Sequence, residues 1–332
     1  MSTTAPEAHP HPEARTYPLM LRTSAYVWWK PALGIVLLFL AFFFASPLLL
    51  PLLAVLVALD HDGSFADAFK QAGTLDHVTW QNMLWLNLSL ALLVPATWGI
   101  LRLVHWMRGT WLASVRPGFR WRFFWGCFGL AVLAILASLL VGAFLPGDPA
   151  DLHASANDVT GRLVGIGVVV LLTTPLQAIG EEYAFRGYLL QAFGSLTRQP
   201  WFGIGLSAAL FALAHGAQNL PLFLDRLAFG LMAGYVVYRT GGLEAGIALH
   251  VWNNLVAFGL ALGFGDIDDA LGVDKVPWSN IVLTLTQNGV FLVLVLLLAR
   301  RMGVSRTTQP PGSWPPPPPG EAPVLVPSSP SV

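Results

Sequence analysis

Residues 163–180 read LVGIGVVVLLTTPLQAIG, and residues 181–186 continue as EEYAFR. The first stretch carries no charge over a length that, at 1.5 Å of rise per residue, is close to what a helix needs to cross the hydrocarbon of a bilayer. It reads as a membrane span. The second stretch puts Glu181, Glu182 and Arg186 at its end. An ionisable group costs about 3 kcal/mol or more at the centre of a bilayer, so such groups persist mainly where they pair or work.

The rest of the chain has the same character. It has 332 residues, of which 55% are hydrophobic and only 11% charged, with 13 Trp and 20 Phe. This is not the surface chemistry of a soluble domain. Apolar runs fall at about Pro31–Leu59, Asn82–Val104, Phe123–Leu145, Leu163 onward, Phe202–His215, Leu222–Tyr238, Leu243–Leu262 and Ile281–Ala299, which predicts an all-α polytopic bundle of eight spans. Arg108, Arg116, Arg120 and Arg122 lie between the second and third runs, and Arg300, Arg301 and Arg306 follow the last. The intervening loops on the other side carry Asp60, Asp62, Asp67 and Asp76, then Asp148, Asp151 and Asp158, then Asp266, Asp268, Asp269 and Asp274. Basic segments face the cytoplasm, so both termini are expected there, and the cell membrane is the expected location.

Five segments follow from this pattern: a disordered polar tail at 1–30, N-terminal spans at 31–160, a polar intramembrane core at 161–260, a loop and last span at 261–299, and a Pro-rich disordered tail at 300–332. Residues 1–30 lack the basic start and short apolar core of a cleavable signal. Cys127 is the only cysteine, which excludes a disulfide framework and a Cys-ligated metal site. His61, His77, His105 and His153 fall in loops or near interfaces and read as structural, as do Asp225 and Arg226, which snorkel or pair with a neighbour.

The polar groups of the core have informative spacings. Glu182 and Arg186 are four apart with the acid first, the favourable order for a helical ion pair. Glu181 is rotated by about 100° from Glu182 and is expected to stay unpaired, a general base in a dry site. His250 and Asn254 share one helix face and suit hydrogen bonding to an oxyanion, while His215 shares a face with Phe211 and can hold a water together with Glu181. For these helices to meet at one depth, the Leu163 helix has to continue through EEYAFR to about Ser195, with a break expected near Thr173-Thr174-Pro175.

The order Glu-Glu-x-x-x-Arg (Glu181, Glu182, Arg186), Phe-x-x-x-His (Phe211, His215) and His-x-x-x-Asn (His250, Asn254) resembles the CAAX protease and bacteriocin-processing family, also called CPBP or Abi. The likeness covers about Leu163 to Phe258. It implies an intramembrane endopeptidase similar to type II CAAX prenyl proteases. In that reading Glu181 and His215 activate water, His250 and Asn254 form the oxyanion hole, and Glu182 with Arg186 support the site.

The family is often classed among metalloproteases, and Glu181, His215 and His250 are the candidate ligands for a divalent ion such as zinc. No His-Glu-x-x-His helix occurs. Activation by glutamate without a metal is the reading taken forward. The expected partners are a peptide or membrane-protein tail as substrate and the lipid bilayer, with no nucleic acid; the Pro-rich tail reads as a solvated end, with a protein that binds it as the alternative. Two other classes fit intramembrane carboxylates, a proton-coupled carrier and a non-catalytic chaperone or immunity protein, but the polar groups are concentrated in one half of the chain rather than in matching repeats.

Overall fold

The computed structural model describes residues 10–60, 77–145 and 155–309. Asp62, Asp67, Lys70, Asp76, Asp148 and Asp151, as well as His61, His153 and the run Pro315 to Pro319, lie outside them. The described residues are predominantly helical, with isolated bridges in place of strands. The main helices are α1 (Trp29–Asp60), α2 (Trp80–His105), α3 (Trp121–Gly142), α4 (Gly161–Thr197), α5 (Pro200–Leu213), α6 (Leu220–Thr240), α7 (Glu244–Phe264) and α8 (Ser279–Arg301). Each begins within a few residues of an apolar run, as expected where every backbone polar group must be satisfied inside its own segment. Phe43, Phe44, Leu140, Leu171 and Leu172 are exposed, which suits contact with lipid.

One expected span is shorter than the rest. Seven of these helices are long and apolar enough to cross a membrane, whereas α5 has 14 residues and reaches only about 21 Å. Pro200 opens it, and the chain turns away at Gly216, whose φ is 78°.

α4 does run through EEYAFR to Thr197. Its departure from α geometry is not at Pro175 but at Tyr183–Leu189, where it widens into a π-helix. Asn87 of α2 donates to Thr173 Oγ1 at 2.8 Å and to Thr174 Oγ1 at 3.1 Å, stapling α2 to α4 beside the proline. Gly180 extends that contact, because a side chain there would overlap the Leu90 carbonyl.

The N-terminal segment is a correction. Composition predicts disorder through Lys30, yet Tyr17, Met20 and Leu21 are fully buried. The Tyr17 hydroxyl donates to Leu112 O at 2.5 Å, and Arg22 Nε donates to Ser195 O at 2.8 Å. Arg15 and Thr308 exchange hydrogen bonds of 2.9 Å, so the segment is also tied to the residues that follow α8. Three large apolar side chains offset the ordering cost that a wholly polar tail could not.

The loop before α3 anchors the start of α7. Leu243 N donates to Ala113 O at 2.9 Å and Val115 N to Gly241 O at 2.8 Å. Arg120 then grips the buried Glu244 with Nε on Oε1 at 2.8 Å and Nη2 on Oε2 at 2.5 Å, while its backbone N–H reaches Oε1 at 3.0 Å. This bidentate pair fixes the helix that carries His250.

Candidate active site

The π-helix begins one residue after Glu182. Such widened turns leave helices locally out of phase and recur at functional sites. Here every residue from Tyr183 to Leu189 is buried, and the two glutamates immediately before them turn toward α7.

His250 lies between them. Its Nδ1 is 2.9 Å from Glu182 Oε1, and its Nε2 is 3.2 Å from Glu181 Oε2. The Nη1 of Arg186 approaches the same Glu182 oxygen at 2.9 Å. The expectation that Glu181 stays unpaired is therefore corrected: each carboxylate meets one imidazole nitrogen, because α7 crosses α4 at this level. With an acceptor at both nitrogens, the ring is an imidazolium, or else one carboxyl keeps the shared proton. In the imidazolium form two anions face two cations and the cluster is neutral. The expected Glu182–Arg186 pair is present.

Aromatic rings enclose this cluster. The Arg186 guanidinium carbon stands 3.9 Å from the Phe211 centroid and 5.1 Å from that of Phe229. His250 packs edge-on against the same two rings, at 5.7 and 5.2 Å. Such faces attract cations, more strongly when water is excluded. Gly246, one turn before His250, leaves the space that Glu182 occupies, since a Cβ there would be 2.7 Å from Glu182 Oε2.

The remaining predicted residues lie around the cluster. His215 follows α5, is exposed, and donates from Nδ1 to Phe211 O at 2.8 Å, which fixes the tautomer and leaves Nε2 as an acceptor. Its ring touches Phe211 at 4.8 Å, so Phe211 stands between the two histidines. Asn254 is half-buried and donates to Gln177 Oε1 at 2.8 Å. Gln177 escapes a reading by charge; its signal is a lone amide four residues before Glu181 in an apolar run. Beside the cluster, a lateral apolar cavity of about 640 Å³ is lined by Ile179 and Tyr183 of α4, Val251 of α7, and Trp98, Phe124 and Phe128.

Both nitrogens of His250 face carboxylates, and among the described residues no three His, Cys, Asp or Glu converge as ligands.

Residues 164–256 match the profile of the family described as type II CAAX prenyl endopeptidase Rce1-like. This segment is similar to that family. It takes in Glu181, Glu182, Arg186, His215, His250 and Asn254, while α1, α2, α3 and α8 lie outside the match. A protein of Bacillus subtilis (strain 168) described as "Uncharacterized protein YyaK" is similar to this chain, 34% identical over 100 residues. The aligned part is 28% of this chain and 33% of that protein, so the likeness spans about one third of the relative's length. No solved structure matches. The match and the seven helices long and apolar enough to cross a membrane fit an integral membrane protein.

Proposed function

We propose that the chain is an intramembrane endopeptidase of the cell membrane, with its Arg-rich ends in the cytoplasm, that hydrolyses a peptide bond in a peptide or the tail of a membrane protein. The observation that carries this reading is the contact chain Glu181, His250, Glu182, Arg186, buried among Phe211 and Phe229. Glu181 keeps 8% of its surface open, whereas Glu182 and Arg186 keep none, so Glu181 is the carboxylate a reactant can reach.

Glu181 takes a proton from water as the water oxygen attacks the scissile carbonyl carbon. Protonated Glu181 no longer needs the Nε2–H of His250, which turns to the new oxyanion together with the second amide hydrogen of Asn254. The C–N bond then breaks, and Glu181 returns its proton to the departing amine. His215, with Nε2 free to accept, holds the water, and Gln177 orients Asn254. Glu182 and Arg186 keep His250 in register and the resting cluster neutral. No step is routed through a metal. The lateral apolar cavity suits a lipid-modified or strongly apolar flank of the substrate.

The test is reconstitution of the full chain in lipid vesicles with a farnesylated peptide ending in a CAAX box and with a digest of membrane-protein tails, followed by mass spectrometry of new termini. Cleavage by wild type that Asn254→Ala slows and a chelator leaves intact is the expected result. No new terminus in either substrate set would overturn the assignment.

A further inference from the structure

Helix α8 is polar along one stripe, and only part of the way down. Asn280, Thr284, Gln287 and Asn288 recur at the spacing of a single helix face, whereas Phe291, Val295 and Ala299, which continue that face, are apolar and buried. Val282, Leu285 and Val293, on the other side, are exposed and suit lipid. At 1.5 Å of rise per residue the polar part descends about 14 Å from Ser279 to Asn288. It starts at the end of the bundle whose loop carries Asp266, Asp268, Asp269 and Asp274.

The stripe meets polar groups on two other helices. Asp225 of α6 accepts at Oδ1 from Asn280 Nδ2 at 3.0 Å and from the Thr284 hydroxyl. Deeper, Gln287 Nε2 donates to Asn253 Oδ1 of α7 at 2.7 Å. Asn253 is three residues, and hence one turn, after His250, so the stripe ends beside the glutamate cluster. Thr284, Gln287 and Asn253 are half-buried, and Asn288 is 5% exposed. Neither Oδ1 nor Nδ2 of Asn288 has a hydrogen-bond partner among the described residues. Buried polar groups are rarely left bare, and an ordered water is the usual partner where the protein supplies none. Polar side chains that only glued helices together would be paired with one another, as Gln287 and Asn253 are. Resting on the endopeptidase reading, we propose that this stripe of α8 lines a path for water into the bundle, with its innermost water held by Asn288, and that the path supplies the water that Glu181 activates. An amide offers that water both a donor and an acceptor. The path stops where Phe291 makes the stripe apolar, at the level of the turn that carries His250 and Asn253.

The test reads water access apart from cleavage. In a Cys127→Ala background, the single variants Thr284→Cys, Asn288→Cys, Leu285→Cys and Phe291→Cys of the full-length protein in lipid nanodiscs are treated with a small charged methanethiosulfonate. Such a reagent needs a thiolate that water reaches, so Thr284→Cys and Asn288→Cys should react at least about tenfold faster than the other two. Of those, Leu285 is at the same depth on the lipid face, and Phe291 lies beyond the end of the path. Asn288→Leu closes the inner end with a side chain of similar size. Because the amide has no protein partner, this variant should unfold with unchanged or higher free energy. It should nevertheless lower kcat about tenfold with KM unchanged, and Asn288→Ser, which can still hold water, should recover most of that loss. Glue between helices would give the reverse, lost stability with turnover intact. Equal labelling of Thr284→Cys and Leu285→Cys, or none of Asn288→Cys, would overturn the path. An Asn288→Leu enzyme with full kcat would overturn its role in supplying water. Labelling as expected in a protein that cleaves no peptide would count against the endopeptidase reading and leave the path standing.

Discussion

Arg186→Met removes the only guanidinium inside the glutamate cluster and keeps most of the apolar stem. In the wild type, counting His250 as imidazolium, two carboxylates balance two cations; the variant leaves one net negative charge among residues that are at most 8% exposed. Removing one partner of a buried pair costs about 3–5 kcal/mol, chiefly because the other is left uncompensated. The contact of the guanidinium with Phe211 at 3.9 Å is lost as well, up to about 2 kcal/mol when desolvated. Glu182→Gln combined with Arg186→Met restores neutrality with nearly the same shape. The double variant should therefore recover about 2 kcal/mol or more relative to Arg186→Met alone. Equilibrium unfolding of the purified proteins in mixed micelles of fixed composition measures both differences. A single variant within about 1 kcal/mol of wild type, or a double variant no more stable than the single one, would refute the charge count.

Other outcomes follow from the same contacts. Arg120→Ala strands Glu244, which is fully buried, and should cost about 3–5 kcal/mol of unfolding free energy, most of it recovered in the Arg120→Leu, Glu244→Leu double variant. Gly246→Ala pushes against Glu182 and should slow cleavage about tenfold to a hundredfold, while Gly259→Ala, with open space around it, should not; kinetics on the reconstituted enzyme compare the two. Asp268 holds the ends of the bundle together: although its burial works the other way, the Val78 backbone N–H, His77 and Arg162 keep its carboxyl below the ordinary value. A carboxyl lowered on folding stabilises above its unfolded value and loses that contribution as pH falls through its folded one, so the unfolding midpoints of wild type and Asp268→Asn should differ at pH 7 and converge only as pH falls from the ordinary carboxyl value, about 4, through the lower folded one.

The spans were legible because in a bilayer each helix must satisfy its own backbone, and the sequence then shows each one as a run of apolar residues. Continuation of α4 to Thr197 followed from the need to bring Glu181 to the depth of His250. The partners were not legible. Glu181 looks free on its own helix, where Phe185 is four residues on, and only the crossing of α7 supplies His250 Nε2. The π-helix at Tyr183–Leu189 has no marker of composition, whereas Pro175, which does, is accommodated within a continuing helix. Arg120 reads as a loop charge and Glu244, far from it in sequence, falls at the start of an apolar run, so their union at the base of α7 appears only in three dimensions. The Pro10–Lys30 segment misled by its average: a few apolar residues, Tyr17, Met20 and Leu21, are enough to anchor a polar segment.

The central claim is a division of labour in which Glu181 performs chemistry and Glu182 holds His250. Its most direct test compares turnover of a cleaved peptide by Glu181→Gln and by the Glu182→Gln, Arg186→Met double variant in the same vesicles. The account predicts that Glu181→Gln loses about a thousandfold or more, within the range for a general base, while the double variant, which keeps an amide oxygen against His250 Nδ1, stays within about tenfold of wild type. Comparable loss in both, or turnover that survives Glu181→Gln, would contradict it.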